Sequence, residues 1–172
     1  MFVTVNLSPH QLRDHHLVDE VAGALSAAGV AAESLVLEMT ETAVMHDPES
    51  AGAQLQRLKQ LGVRLALDDF GTGYSSLSQL RRFPFDVLKI AKPFVDAIAS
   101  SSTDARLART VVRLGDTLAL KTIAEGIESA EQRQVLRELR CSYGQGFHFA
   151  EPLTAEDAAT FVLEQPSAAR AA

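Results

Sequence analysis

The sequence has little of several features that mark particular classes of protein. Its 172 residues include one cysteine, Cys141, so no disulfide can form within the chain. No stretch approaches the roughly 20 consecutive apolar residues of a membrane-spanning helix. The first residues, Met1 to Thr4, lack the basic and apolar segments of a secretory signal. These absences lead us to expect a cytoplasmic protein, in which a single thiol stays reduced.

Positive charge is also scarce. The chain has 16 lysines and arginines against 22 aspartates and glutamates, which gives a net charge of −6. A protein that binds nucleic acid polymers without sequence preference needs clustered lysine and arginine, so the composition argues against this class. The apolar fraction of 47% is ordinary for a globular protein, and the length suits one domain with a sizeable core.

Strand-like and helix-like segments alternate along the chain. Short apolar runs predict six strands, at Phe2–Asn6, Leu35–Glu38, Val63–Leu67, Asp86–Ile90, Lys121–Ala124 and Gly144–Phe149. Between them, apolar residues recur at helical spacing, and Gly29 and Gly62 follow the ends of two predicted helices. Thr154 is expected to cap a last helix. Repeated strand–helix units predict an α/β fold with a parallel sheet and helices outside it.

Polar side chains stand at or just beyond the carboxyl end of every predicted strand. They are Asn6, Glu38, Asp68, Asp69, Lys89, Glu125 and Gln145. In a barrel of strand–helix units this end carries the active site. Adjacent carboxylates repel each other, and a divalent cation with a preference for oxygen ligands would relieve the repulsion. An alternative to metal binding or catalysis is that Asp68, Asp69 and Glu125 cap the helices or turns that follow them. The alternative for Lys89 is an ordinary lysine at a strand end with its ammonium in solvent.

Six segments in order resemble the EAL family of cyclic-di-GMP phosphodiesterases, from about Val3 to Leu153. The segment Asp68-Asp69-Phe70-Gly71-Thr72-Gly73-Tyr74-Ser75-Ser76-Leu77 is the most specific. The others are Val5-Asn6-Leu7-Ser8, Leu37-Glu38-Met39-Thr40-Glu41-Thr42, Leu88-Lys89-Ile90, Ala124-Glu125-Gly126-Ile127-Glu128 and Gln145-Gly146-Phe147.

The resemblance implies a TIM-like (β/α) barrel of the EAL type, with about six of eight strand–helix units present. It implies Mg²⁺ or Mn²⁺ as cofactor and hydrolysis of one phosphodiester of cyclic-di-GMP to give linear pGpG. By motif match, the metal ligands would be Asn6, Glu38, Asp68 and Asp69. The remaining site residues would be Lys89, which orients the attacking water, Glu125 as general base, and Gln145 in the polar floor.

The resemblance also implies an assembly. Glu41 would anchor the loop Phe70–Ser76, and the segment Phe70–Phe85 would carry a homodimer contact. Further domains of a longer signalling protein would be additional partners. We assign residues 1–165 to a partial EAL domain and expect residues 166–172 to form a disordered tail.

Two departures from the family pattern bear on activity. The Glu-Ala-Leu segment is absent, because the chain begins at what would be the third strand, and Ala91 stands where the family usually has aspartate. We therefore expect weak or no turnover by this chain alone, and two unpaired strand edges, at Phe2–Asn6 and near Gly146–Phe149. The alternative function is a non-catalytic cyclic-di-GMP receptor or a dimerising regulatory module.

Overall fold

A computed structural model of the chain describes residues 1–71, 82–100 and 102–164. Its six strands form one parallel sheet in chain order. They are β1 (Val3–Asn6), β2 (Leu35–Thr40), β3 (Arg64–Phe70), β4 (Val87–Ile90), β5 (Lys121–Ala124) and β6 (Tyr143–Gly144). The predicted α/β class and the parallel sheet are confirmed, and the sheet curves as part of a TIM-like barrel.

Helices connect the strands. They are α1 (Pro9–Leu12), α2 (Leu17–Ala28), α3 (Glu41–Met45), α4 (Pro48–Gln60), α5 (Lys92–Ala97), α6 (Thr103–Thr117), α7 (Ala130–Glu138) and α8 (Ala155–Glu164). Ser8 and Ser129 begin α1 and α7 with capping boxes, and Thr154 accepts a hydrogen bond from the Asp157 N–H at the start of α8. No helix within the described ranges is both long and apolar enough to cross a membrane.

The main core lies between the outer face of the sheet and the helices. Strand residues Leu65, Leu67, Leu88 and Ile90 are fully buried in it, as is Val95 of α5. Burial of apolar surface is the chief favourable term in folding, so this layer fixes the sheet against the helices. The strand ends are thereby held in place for the polar side chains of the inner face.

The inner face of the sheet is built in layers. Its lower layer is apolar and consists of Val36, Ala66, Val87 and Ile123. Phe2 and Tyr143 close this layer across the gap between β1 and β6, with ring centroids 5.1 Å apart in an edge-on arrangement. Because side chains alternate between faces along a strand, the next inward positions lie two residues further on, at the carboxyl ends.

Three predicted strand ends differ from the observed ones by two residues or more, and the first of these is in β2, which runs to Thr40 and not to Glu38. The strand predicted at Gly144–Phe149 ends at Gly144, because the backbone then turns around Ile127: the Ile127 N–H donates to the Gln145 carbonyl and the His148 N–H to the Ile127 carbonyl. The strand predicted to end at Leu67 continues to Phe70. A register shift against β4 lies within this extension, where Asp69 has a positive φ of 55°.

Both sheet edges are open within the described part of the chain: β1 pairs with β2 alone and β6 with β5 alone. The edge predicted at Phe2–Asn6 corresponds to β1, but the other edge is β6, at Tyr143–Gly144, and not Gly146–Phe149. Val3 and Val5 lie in register with Leu35 and Leu37 of the outer core, yet they are 60% and 44% exposed. The loop Thr72–Ser76, most of the segment Phe70–Phe85 and the tail 166–172 lie outside the described residues.

The turn at Gly146 generates a stability prediction. Its φ is 150°, and a Cβ there would collide with the backbone nitrogen and oxygen of Ile127. We expect Gly146→Ala to lower the free energy of unfolding by about 2 kcal/mol or more. Gly23, in α2, has open space at its Cβ position, so Gly23→Ala should stabilise the protein by about 0.5–1 kcal/mol. Urea unfolding measures the free energy of unfolding of both variants. A Gly146→Ala variant as stable as the wild type or as Gly23→Ala would contradict the turn geometry.

The exposed valines of β1 generate a second prediction. Unpaired edges with apolar side chains favour association, and lysine on an edge strand opposes it. We expect the purified chain to self-associate, and Val3→Lys combined with Val5→Lys to lower the mean mass in light scattering. Val30→Lys is the control, because Val30 is 48% exposed but lies outside the sheet. Equal masses for the β1 variant and the control would show that this edge does not mediate association.

Candidate functional site

A buried ammonium group lies among three carboxylates at the carboxyl end of the sheet. The Lys89 Nζ is 2.5 Å from Glu38 Oε2 and 3.2 Å from Asp68 Oδ2, and it also contacts Glu125 Oε1. The Lys89 and Glu38 side chains are each 3% exposed, Asp68 is 14% exposed and Glu125 is 19% exposed. We call these four residues the Lys89 cluster.

Strand register explains why four residues distant in sequence meet. Glu38, Asp68 and Lys89 belong to β2, β3 and β4, and Glu125 follows the last residue of β5. Lys89 of β4 pairs with Ile123 of β5, so both side chains point to the inner face of the sheet. The next inward position after Ile123 is two residues further on, at Glu125. Each of these side chains stands one step above the apolar inner layer. Parallel strands bring their carboxyl ends to one edge, and the cluster forms there.

Burial and pairing act on these groups in opposite directions. Burial lowers the pKa of the Lys89 ammonium, but hydrogen bonds to Glu125 and Glu38 outweigh burial and raise that pKa above its ordinary value. Burial raises the pKa of the Glu125 carboxyl, while Lys89 acts against this shift. Lys89 therefore stays charged at neutral pH, and Glu125 holds a proton more readily than an ordinary glutamate.

The donor set of the Lys89 cluster fits a hard divalent cation. Glu38, Asp68 and Glu125 each offer a carboxylate oxygen, and the three oxygens lie within 4.8 Å of one another. Glu38 Oε1 is buried and has no hydrogen-bond partner among the described residues. A buried carboxylate oxygen without a partner carries an energetic penalty that a bound cation would remove. Oxygen donors of this kind suit Mg²⁺ and Mn²⁺.

Gln145 extends the cluster toward β6. Its Nε2 donates to Glu125 Oε1 over 2.9 Å, and its backbone N–H donates to the Ala124 carbonyl over 2.9 Å. The Gly146 turn follows directly and holds this backbone against Ile127. The side chain of Gln145 is therefore positioned to orient the Glu125 carboxylate.

The other residues singled out from the sequence are Asn6, Asp69, Glu41 and Ala91. Asn6 ends β1 opposite Glu38 in the register, and it is exposed. Asp69 is exposed, and its backbone N–H donates to Asp68 Oδ1 over 2.8 Å. Glu41 is buried at the start of α3, but most of the loop it is expected to anchor lies outside the described residues. Ala91 is buried and begins α5 without a side-chain cap.

A cavity of about 480 Å³ adjoins Gln145 on the same rim. Its other lining residues include Gly126, Glu128, Gly146, Phe147 and Pro152. Phe147 is 64% exposed, so its ring faces solvent at the cavity. Sequence reasoning did not identify this cavity. The available signal was the presence of glycine at positions 126 and 146, both of which have a positive φ in the structure. Sequence reasoning also did not place Glu125 in one ligand group with Glu38 and Asp68.

Comparison with known proteins identifies the family. The family model described as "EAL domain" matches residues 1–152. The cyclic di-GMP phosphodiesterase NbdA of Pseudomonas aeruginosa is 45% identical over 151 residues, which are 88% of this chain and 19% of NbdA. The chain thus spans about a fifth of the length of that relative.

Solved structures agree in fold. The PaMucR phosphodiesterase in complex with c-di-GMP superposes with a TM-score of 0.86 at 41% identity, over 91% of this chain and 64% of the chain in that structure. A manganese and cy-diGMP complex of Klebsiella pneumoniae BlrP1 gives a TM-score of 0.81 at 35% identity, over 88% of this chain and 39% of the chain in that structure. The chain belongs to the EAL domain family.

Proposed function

We propose that the Lys89 cluster is the divalent-cation centre of an EAL-type hydrolysis of cyclic-di-GMP to linear pGpG. The observation that carries the proposal is the convergence of Glu38, Asp68 and Glu125 at the carboxyl end of an EAL-family sheet. The relatives named as cyclic-di-GMP phosphodiesterases, and the manganese complex among the similar structures, support the substrate and the cofactor. Mg²⁺ or Mn²⁺ is the proposed ion.

The protein side chains supply complementary chemistry. A divalent cation held by Glu38, Asp68 and Glu125 would acidify water and offset the charge of the phosphodiester. Asn6, at the end of the neighbouring strand, and Asp69 are the further candidate ligands. The exposed carboxamide of Asn6 lies opposite Glu38, which is the placement that a ligand from β1 needs.

Glu125 is also the proposed proton acceptor for the attacking water, with one carboxylate oxygen toward the cation and the other accepting the proton. Burial raises the pKa of its carboxyl, which brings proton acceptance closer to neutral pH. Gln145 donates to Glu125 Oε1 and so keeps the carboxylate oriented. Lys89 contributes the positive charge that positions the water and the phosphodiester oxygens. In the reaction, water attacks phosphorus and gives a proton to Glu125. One ring P–O bond breaks, and the released oxygen takes up a proton to become a hydroxyl group of the linear dinucleotide.

The cavity beside Gln145 is the proposed place for a base of the substrate. Its volume of about 480 Å³ is ample for a purine, and the exposed ring of Phe147 offers a stacking surface. The Glu128 carboxylate at its wall could accept hydrogen bonds from guanine.

Binding without turnover is the second candidate function. The chain spans 64% of the protein chain in the PaMucR structure. Ala91 places a methyl group at the buried end of β4, where a carboxylate could otherwise contact the rim. We therefore propose weak hydrolysis, with a cyclic-di-GMP receptor as the alternative.

Cellular context and assembly are further proposals. We place the protein in the cytoplasm, where cyclic-di-GMP signalling enzymes meet their nucleotide. The relatives are several times longer than this chain, which supports partner domains. A homodimer contact through Phe70–Phe85 is proposed from the family resemblance, and residues 72–81 of this segment lie outside the described ranges.

Removal of one ligand charge tests the ion site. Asp68→Asn should weaken Mn²⁺ binding by about tenfold or more, because a neutral amide replaces an anionic oxygen donor. Calorimetric titration of Mn²⁺ measures the affinity. Asp96→Asn is the control, since Asp96 is an exposed carboxylate paired with Lys92. Equal affinities in the wild type and Asp68→Asn would remove Asp68 from the ligand set.

Turnover and its dependence on Glu125 test the reaction. We expect slow, Mn²⁺-dependent formation of pGpG, which Glu125→Gln abolishes because the amide neither accepts the proton nor supplies an anionic oxygen to the cation. Glu131→Gln, an exposed glutamate in the first turn of α7, should leave the rate unchanged. Chromatography of the products measures each rate. Undiminished pGpG formation by Glu125→Gln would contradict its role, and nucleotide binding without any pGpG would favour the receptor function.

A further inference from the structure

The Lys89 ammonium lies where the three carboxylates of the cluster would hold a divalent cation. Its ammonium touches one oxygen each of Glu38, Asp68 and Glu125, the same three residues whose oxygens converge for a metal. We infer that Lys89 is an internal competitor of the divalent cation: it neutralises the carboxylates in the metal-free protein and lowers their affinity for the ion. The inference rests on the proposed ion site.

The dimensions of the cluster leave room for a single cation at its centre. The three ligand oxygens lie within 4.8 Å of one another. A Mg²⁺ ion needs oxygens at about 2.0–2.1 Å, and an ammonium approaches them to about 2.7–2.9 Å. Both cations cannot sit between the same three oxygens. Binding of the ion therefore requires the ammonium to withdraw from at least one carboxylate.

The unpartnered oxygen of Glu38 offers a different arrangement, with the same outcome for affinity. The ion could begin on Oε1 while Lys89 keeps Oε2. Two cations would then share one carboxylate a few ångströms apart, and their mutual repulsion in a buried site would be strong. In either arrangement, the lysine charge opposes ion binding.

The competition couples the ion to the substrate. An ammonium that leaves the carboxylates inside a buried site needs another anionic partner, because an unpaired buried charge is costly. A phosphodiester is such a partner. Ion and nucleotide should therefore bind cooperatively, with the ammonium passing from the carboxylates to the phosphodiester.

The test compares Mn²⁺ binding by the wild type, Lys89→Met and Lys92→Met in calorimetry. Removal of the competing charge should tighten Mn²⁺ binding in Lys89→Met by about tenfold or more. Lys92→Met is the matched control, because Lys92 is a nearby lysine that also pairs with two carboxylates, Asp96 and Glu128, but is exposed. Its Mn²⁺ affinity should stay within about twofold of the wild-type value.

Thermal unfolding gives a second readout. In EDTA, Lys89→Met should melt below the wild type, because the carboxylates lose their internal counter-ion. Saturating Mn²⁺ should then raise the melting temperature more in Lys89→Met than in the wild type. Lys89→Gln, which keeps a polar donor, serves in both measurements if the methionine variant does not fold.

The outcomes separate this inference from the proposed function. Unchanged or weaker Mn²⁺ binding in Lys89→Met would overturn the competition and leave the ion site standing. Equal tightening in Lys92→Met would also overturn it, since the effect would then be one of general charge. Absence of Mn²⁺ binding in the wild type and in every variant would overturn the ion site and the competition together.

Discussion

The ion pairs of Lys89 are the interaction on which the candidate site depends. One ammonium, almost fully buried, holds carboxylates from three other parts of the sheet. Charges in such surroundings persist only when they are paired, and loss of one partner of a buried pair costs about 3–5 kcal/mol. The carboxylates outnumber the ammonium three to one, so the cluster retains an excess of negative charge. The cluster therefore combines an internal counter-ion with carboxylate oxygens in excess of it.

Layering of the sheet positions this cluster. The apolar residues Val36, Ala66, Val87 and Ile123 fill the inner face below it, and the aromatic pair of Phe2 and Tyr143 closes that layer. Above it, one step further along the strands, the inward positions become polar. The outer core fixes the strands from the other side. The polar side chains of the inner face are therefore confined to the carboxyl rim of the sheet, where Gln145 and the Gly146 turn lie beside the Lys89 cluster.

Much of this arrangement could be predicted from sequence, because strand–helix alternation and polar strand ends are local patterns. Glu38, Asp68, Lys89, Glu125 and Gln145 were all identified in this way, and the structure brings them together. The contacts between these side chains and the exact strand ends were harder to predict. The position of the Lys89 ammonium depends on how far its side chain extends toward residues of neighbouring strands. The end of β6 at Gly144 depends on contacts between Gly146 and Ile127, which is distant in sequence. The extension of β3 contains a register shift and a positive φ at Asp69, which a local apolar pattern does not reveal.

The proposed divalent cation would bind between Glu38, Asp68 and Glu125 and displace the Lys89 ammonium. Anomalous diffraction from crystals of the protein grown with Mn²⁺ would locate the ion and the ammonium together. We expect a manganese peak within coordination distance of oxygens from all three carboxylates, with the Lys89 Nζ moved away from at least one of them. A manganese-soaked structure in which Lys89 keeps all three contacts and the cluster shows no anomalous peak would contradict this proposal.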